Sequence, residues 1–207
     1  MNNRTHLAAG AYETKGGFRI LAIPGSLREA SQNRGLLRAA REVAPPGVEI
    51  ELFHLGRIPL YDGDVESQGY PEAVRELHEA IRRADALLVA TPEYNGSIPG
   101  VLKNALDWAS RPRSSSALRH KPVALMGASA GRSRTANAQA HLRGVFDHTG
   151  SPLLSEPRVL VSGASGAFDA DGNLLDLDVR EQVRELVQAL VDWVRVRPLE
   201  TAVAGVA

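Results

Sequence analysis

The sequence predicts an α/β fold in which helices cover both faces of a parallel β-sheet. Short, continuous apolar runs alternate along the chain with amphipathic stretches of helical spacing. Strands that are apolar throughout are typical of parallel sheets that are buried on both faces. The 207 residues are 43% apolar and 23% charged, which is an ordinary composition for one globular domain of this length.

The first strand–helix unit begins with the apolar run Phe18–Ile23, which a Pro-Gly pair closes. Its helix is predicted over Asn33–Val43, where the apolar side chains share one stripe and a Pro-Pro-Gly sequence follows. The next strand is predicted at Val48–Phe53, where apolar and polar residues alternate. Residues 54–70 are rich in Gly, Asp and Pro and are predicted to form a long loop.

The remaining units repeat the same order. Pro71 opens the second helix, Ala86–Thr91 is a compact apolar strand, and Pro99 opens the third helix. The last two units are a strand at Lys121–Gly127, a helix over 135–147, a strand at Pro157–Val161 and the clearest amphipathic helix at 179–194. Five such units are too few for a closed barrel, so they favour an open flavodoxin-like sheet with its ligand crevice at the carboxyl ends of the strands.

The composition excludes several functional classes. Lys plus Arg and Asp plus Glu each number 24, so no bulk charge favours nucleic acid or an anionic membrane. The absence of cysteine rules out disulfides, thiolate metal sites and cysteine nucleophiles. No apolar run approaches the roughly 20 residues of a spanning helix, and the histidines are too scattered for a metal site. We therefore expect a cytoplasmic domain at 18–197, with tails at 1–17 and 198–207.

The loop after the first predicted strand carries groups that suit a phosphate. Gly25 permits a tight turn at its start, and its polar side chains include Ser26, Arg28, Ser31 and Asn33. Hydroxyl and amide groups donate hydrogen bonds, a guanidinium adds charged donors, and the following helix presents free N–H groups. Any one of these residues could merely cap the helix or turn the chain. Together they predict a phosphate site.

Two further loops emerge at the same predicted edge of the sheet. The loop Thr91–Gly100 holds two prolines and two glycines, so it is stiff or sharply turned. It could present backbone groups and Tyr94 to a planar heterocycle, or it could be an ordinary connection with Asn95-Gly96 as a turn. The loop Gly127–Arg134 is rich in small residues, which let a ligand approach the backbone closely but also suit a flexible connection.

Two motifs carry a resemblance to a known family. The first is Gly25-Ser26-Leu27-Arg28 with Ser31 and Asn33, and the second is the long run from Pro92 to Trp108. With these motifs the chain resembles the NAD(P)H-dependent FMN reductases, a flavodoxin-like group that includes quinone, azo-dye and chromate reductases. The resemblance covers about residues 18–195. It implies a three-layer sandwich around a five-stranded parallel sheet of order 2-1-3-4-5.

The resemblance also implies a cofactor and its site. In the family the first of the three loops wraps the FMN phosphate, the second lies against the isoalloxazine ring, and the third completes the pocket. The residues that match these roles are Ser26, Arg28, Ser31, Gln32, Asn33, Pro92, Glu93, Tyr94, Asn95, Gly96, Ser129, Ala130 and Gly131. No catalytic side chain is required, because the flavin passes hydride from NADH or NADPH to a quinone, azo compound, metal oxyanion or free flavin.

Some questions stay open at this level. A flavodoxin-type carrier that passes electrons to protein partners is the main alternative, although such carriers are strongly acidic and this chain is neutral. The third loop departs from the family pattern at Arg132 and Arg134, which leaves the choice between NADH and NADPH undetermined. Family members are usually homodimers or homotetramers, and residues 54–70 with Trp108 could form the subunit contact. The segment could equally be a solvated loop, and Trp108 could be a core anchor. His78, on an apolar helical stripe, is predicted to be packed rather than catalytic.

Overall fold

The structure is a computed structural model that describes residues 17–131, 133–162 and 166–197. Five parallel strands form one sheet in the order β2-β1-β3-β4-β5. The strands are β1 at Phe18–Pro24, β2 at Val48–Leu52, β3 at Ala86–Ala90, β4 at Val123–Ser129 and β5 at Val159–Ser162. The predicted fold and strand order are therefore confirmed. The tails expected at 1–17 and 198–207 lie outside the described residues, apart from Gly17.

Six helices occur in the described ranges, one more than predicted. They are α1 at Gln32–Glu42, α2 at Gly63–Gln68, α3 at Glu72–Arg83, α4 at Gly100–Ala109, α5 at Ala136–Thr149 and α6 at Leu177–Val196. The prediction of a continuous loop over 54–70 was wrong, because α2 and a 3₁₀ turn at Leu55–Arg57 lie within it. Asp62 caps α2 by accepting a hydrogen bond from the Asp64 amide at 2.8 Å. A helix of six residues is too short to show an apolar period.

The helices cover the sheet in two layers, each with its own apolar core. Helices α1 and α6 pack on one face, and α3, α4 and α5 pack on the other. All five residues of the central strand β3 are buried, as expected for a parallel strand that is covered on both sides. The carboxyl ends of β1, β3 and β4 consequently lie side by side at one edge of the sheet, where the three polar loops emerge.

Two side chains that the sequence singled out lie in the core between α3 and α4. His78 is 3% exposed, its Nε2 atom lies 2.9 Å from the carbonyl oxygen of Trp108, and burial lowers its pKa. The prediction that His78 is packed is confirmed. Trp108 is fully buried, so of the two roles predicted for it, core anchor and subunit contact, the structure shows the core position. Across the described residues, no helix has the length and apolarity needed to cross a bilayer.

Candidate functional site

The three polar loops meet in one cavity of about 480 Å³ at the carboxyl edge of the sheet. We call residues 25–33 the first loop, 91–100 the second loop and 127–134 the third loop. The candidate residues that line this cavity are Ser26, Arg28, Ser31, Gln32, Asn33, Pro92, Glu93, Tyr94, Ser129, Ala130 and Gly131. The two remaining candidates, Asn95 and Gly96, lie in an exposed turn beyond the cavity wall.

The first loop places two buried hydroxyl groups and a cation at one end of the cavity. Ser26 is 6% exposed and its Oγ accepts a hydrogen bond from the Arg28 amide at 3.3 Å. Ser31 is 3% exposed and caps α1, where its Oγ accepts from the Arg34 amide at 3.4 Å. Each hydroxyl therefore accepts within the loop and keeps its own O–H to donate. The Arg28 side chain is exposed at the cavity rim.

Asn33 joins α1 to the end of β4. Its Nδ2 donates to the carbonyl oxygen of Ala128, and its Oδ1 accepts from the Ala128 amide, both at 2.9 Å. The carbonyl of Met126, two residues earlier, accepts from the Thr91 amide at the end of β3. Because backbone groups alternate along a strand, those of Ala128 also point towards β3, which has ended by then. The Asn33 side-chain amide therefore makes the two hydrogen bonds to Ala128 that a further residue of β3 would otherwise make.

The second loop contains a tight turn of the kind that joins β-strands in hairpins. Tyr94 and Ser97 exchange two backbone hydrogen bonds of 2.9 Å. Between them, Asn95 and Gly96 have φ angles of 52° and 71°, as a type I′ turn requires. The turn leaves the Tyr94 side chain 47% exposed at the cavity wall. On the other side, the Ser97 hydroxyl lies 2.9 Å from Nδ1 of His141 in α5.

Glu93, in the second loop, uses its carboxylate to bind the start of α5. The Ser133 hydroxyl donates to Oε1, and Asn137 Nδ2 donates to the same oxygen at 3.0 Å. The backbone amides of Asn137 and Ala138 donate to Oε2 at 2.9 and 3.1 Å. Burial raises the pKa of Glu93, but these hydrogen bonds outweigh it, so the pKa lies below its ordinary value. The side chain is therefore a hydrogen-bonded carboxylate at neutral pH.

The third loop approaches the second loop closely. A Cβ atom at Gly127 would lie only 2.2 Å from the carbonyl oxygen of Thr91, so no larger residue fits there without a shift of the backbone. The Ser129 hydroxyl donates to the backbone carbonyl of Glu93 at 3.4 Å. Arg134 is not part of the cavity wall and donates to the Leu160 carbonyl at 3.4 Å. Arg132, the other departure from the family pattern, lies outside the described residues.

A fourth segment of the cavity wall, formed by Asp169 and Ala170 before α6, was not predicted from the sequence. The Asp169 carboxylate accepts from the Asn173 amide at 2.7 Å and from its Nδ2 at 2.9 Å, and these bonds lower its pKa. The segment lies directly on the first loop and α1: a Cβ at Gly172 would come within 2.8 Å of the Ala30 carbonyl oxygen, and a Cβ at Gly35 within 1.9 Å of the Gly172 carbonyl oxygen. The Asp-Ala-Asp-Gly-Asn sequence at 169–173 is a recognisable turn signal, but it does not reveal which loop the turn contacts.

The charges around the cavity favour an anion at the end formed by the first loop. Arg28 is the cation of the described wall, and the start of α1 adds backbone N–H groups there. The two carboxylates of the wall, Glu93 and Asp169, are both engaged in several hydrogen bonds. Within the described residues, no group of three or more His, Asp or Glu side chains is placed to hold a metal ion. The arrangement suits a ligand with a phosphate at one end and a planar group at the other.

Comparison with known proteins identifies the family. The family model for NADPH-dependent FMN reductases matches residues 18–166. An NAD(P)H-dependent FMN reductase of Pseudomonas aeruginosa is 51% identical over 178 residues, which are 86% of this chain and 96% of that protein. A 2-hydroxy-1,4-benzoquinone reductase of a Burkholderia species is 41% identical, over 87% of this chain and 98% of that protein.

A solved structure agrees with the sequence comparisons. FerB of Paracoccus denitrificans, a flavoenzyme NAD(P)H:(acceptor) oxidoreductase, is similar with a TM-score of 0.77 and 36% sequence identity. The similarity covers 86% of this chain and 97% of that one. This chain belongs to the NADPH-dependent FMN reductase family and is an oxidoreductase that works with FMN and NAD(P)H.

Proposed function

We propose that the cavity formed by the three loops holds FMN, with the phosphate at the start of α1 and the isoalloxazine ring between the second and third loops. The observation that carries this proposal is the meeting of loops from β1, β3 and β4 in one cavity of about 480 Å³. That volume falls within the range of small-molecule sites, roughly 300–1,000 Å³. In open α/β sheets, ligands bind at this edge.

The residues at the phosphate end fit a dianion. The O–H groups of Ser26 and Ser31 are available to donate, since both oxygens already accept from backbone amides. Arg28 supplies a guanidinium at the rim, and charge-assisted bonds of this kind are about twice as strong as neutral ones. Gln32, the first residue of α1, also lines the cavity. Asn33 supports the site indirectly, through its two bonds to Ala128.

The residues at the ring end fit a flat heterocycle. Pro92 is buried and Tyr94 is half exposed, and both line the cavity. Opposite them, Ser129, Ala130 and Gly131 offer small side chains at the wall, so a ligand can approach the backbone closely. A planar ring needs close backbone approach of this kind, because bulky side chains would hold it away from the hydrogen-bonding groups.

FMN, when bound, supplies the group that accepts hydride from NAD(P)H and returns it to an acceptor. The protein's part is to bind, orient and partly shield the cofactor. Neither Glu93 nor Asp169 is free to act as an acid or base, because each carboxylate is held by several donors and has a lowered pKa. The first loop would hold the phosphate, and the second and third loops would flank the ring, where FMN would supply the hydride-transfer chemistry.

We further propose that quinones are the main acceptors. The relative of the Burkholderia species is named for the reduction of 2-hydroxy-1,4-benzoquinone, and it aligns over 98% of its length with this chain. Quinones are flat and can stack on an open ring face in the same space that nicotinamide uses. Azo compounds, metal oxyanions and free flavin are the other acceptor classes to be compared.

Steady-state kinetics tests the proposal. The FMN-loaded protein is assayed for NADH and NADPH oxidation with a benzoquinone, an azo dye, chromate and free FMN. We expect the quinone to give the highest kcat/KM. A higher kcat/KM for another acceptor would overturn the quinone assignment alone. A protein that neither quenches FMN fluorescence nor yields FMN after heat denaturation would overturn the assignment of the cavity.

We propose in addition that the enzyme is a homodimer or homotetramer and acts in the cytoplasm, where NAD(P)H is produced. Exposed apolar side chains in the segment 54–70 support a subunit contact there: Leu60 is 84% exposed and Val65 is 38% exposed. Light scattering after gel filtration tests the assembly, and a monomeric mass at micromolar concentration would contradict it. Cell fractionation tests the location.

A further inference from the structure

Helix α5 begins without a cap from its own neighbouring residues. Thr135 stands at the N-cap position, but its hydroxyl accepts from the side chain of Gln139 at 3.1 Å and from no backbone amide at the start of the helix. The backbone amides of the second and third helical residues, Asn137 and Ala138, donate instead to Glu93. In an ordinary cap these amides bind the side chain of the N-cap residue. Glu93 therefore caps α5 from a separate loop, and its negative charge faces the positive end of the helix dipole.

Glu93 also holds the third loop on both sides of the cavity wall. The Ser133 hydroxyl donates to its carboxylate, and the Ser129 hydroxyl donates to its backbone carbonyl. Between these serines lie Ala130 and Gly131, which are exposed and line the cavity. Neither has a side chain that could anchor it. The bonds that the flanking serines make to Glu93 therefore help to hold this wall, together with the bond from the Arg134 amide to the Gly131 carbonyl.

We propose that Glu93 is a positioning residue for the flavin pocket: its carboxylate fastens the third loop and α5 to the second loop and does not itself bind FMN. This inference rests on the proposed function, because it takes the cavity to be the FMN site. The Glu93 carboxylate also favours the start of α1 over the start of α5 as the phosphate site. The start of α5 already faces a carboxylate, whereas the start of α1 lines the same cavity as the Arg28 side chain.

Without the Glu93 carboxylate, the amides at the start of α5 lose their partners and the third loop loses the bond from Ser133, while the Ser129 bond to the Glu93 backbone remains. FMN would then have to order that loop as it binds, and the ordering cost weakens its affinity. The expected loss is about tenfold or more in Kd, as estimated from the cost of immobilising a few side chains. Glutamine keeps one acceptor oxygen at this position, so Glu93→Gln is expected to fall between the parent and Glu93→Ala.

The test compares Glu93→Ala and Glu93→Gln with the control Asp62→Asn. The control makes the same carboxylate-to-amide change as Glu93→Gln at the cap of α2, away from the cavity. Two quantities are measured: hydrogen exchange at the amides of Asn137 and Ala138 in the apoprotein, and the Kd of FMN from quenching of its fluorescence. We expect Glu93→Ala to lose protection at both amides and to bind FMN about tenfold more weakly, with no change in the control.

Either of two results would overturn the proposal. Lost protection with unchanged FMN affinity would show that the carboxylate only caps a helix. Weaker FMN binding with unchanged protection would show that Glu93 contacts the flavin directly. If even the parent fails to bind FMN, the proposed function fails, whereas the exchange data still report on the cap. If Glu93→Ala does not fold, Ser133→Ala removes only the bond to the third loop, and unchanged FMN affinity in that variant would refute the proposal.

Discussion

Replacement of Asn33 by alanine should lower the free energy of unfolding of the apoprotein by about 2–6 kcal/mol. The Asn33 side chain pairs with both backbone groups of Ala128, at 2.9 Å each, and the two residues are only 3% and 1% exposed. Alanine at 33 leaves a buried N–H and a buried C=O without partners. Each such group costs about 1–3 kcal/mol, and the two together give the stated range.

Equilibrium unfolding in urea, without FMN, measures this loss independently of any cofactor contact. Gln188→Ala is the control, since the Gln188 amide bonds only to Asp192 on the exposed face of α6 and should change stability by no more than about 0.5 kcal/mol. Asn33→Asp keeps an oxygen that accepts from the Ala128 amide, but it replaces the N–H donor with a second carboxylate oxygen that lies against the Ala128 carbonyl oxygen. This variant should therefore also be less stable at neutral pH. A loss for Asn33→Ala no larger than that of the control, at unchanged m-value, would refute the argument.

Three further results are expected. Gly127→Ala should lower the free energy of unfolding by about 1–3 kcal/mol in a thermal or urea melt, because its Cβ would lie 2.2 Å from a carbonyl oxygen. Gly144→Ala, which has open space around it in α5, should instead stabilise by about 0.5–1 kcal/mol. Equal effects of the two substitutions would contradict the packing argument. Ser26→Ala and Arg28→Ala should each weaken FMN binding by about 1–3 kcal/mol in a fluorescence titration, and unchanged affinity in both would place the phosphate elsewhere. Hydrogen bonds hold the pKa of Glu93 below its ordinary value despite burial. Its contribution to stability is therefore present above that ordinary value and is lost as the pH falls through the lowered pKa, so apoprotein stability should decline more steeply towards acid in the parent than in Glu93→Gln. Parallel declines would show that this carboxylate is not stabilised by folding.

Most of the fold could be predicted because it depends on local patterns. Continuous apolar runs predicted the five strands, and the helical spacing of apolar residues predicted the five longer helices. The exception is α2, which has six residues and a cap at Asp62. A helix of this length is too short for a repeating apolar pattern to be detected. The buried position of His78 also followed from periodicity, because its place on the apolar stripe of α3 directs it into the core.

The site could be located from the sequence, but the work of individual residues could not. The carboxyl ends of parallel strands share one edge, so polar loops after β1, β3 and β4 had to come together. The sequence offers no sign that Asn33 pairs with Ala128 or that Glu93 caps α5. Those partners lie 95 and 44–45 residues away, and only the packed sheet brings them within hydrogen-bond distance. The same holds for Asp169, which the sequence does not place beside the first loop.

The sequence by itself therefore determined the order of elements, the parallel sheet and the family, because apolar periodicity and contiguous motifs are properties of neighbouring residues. The tertiary structure decided which polar side chains face the cavity and which are used to build it. The physical reason is that a buried amide or carboxylate must find partners, and the partner that it finds is set by the crossing of distant elements. For Asn33 and Glu93, those partners are the backbone of β4 and the start of α5.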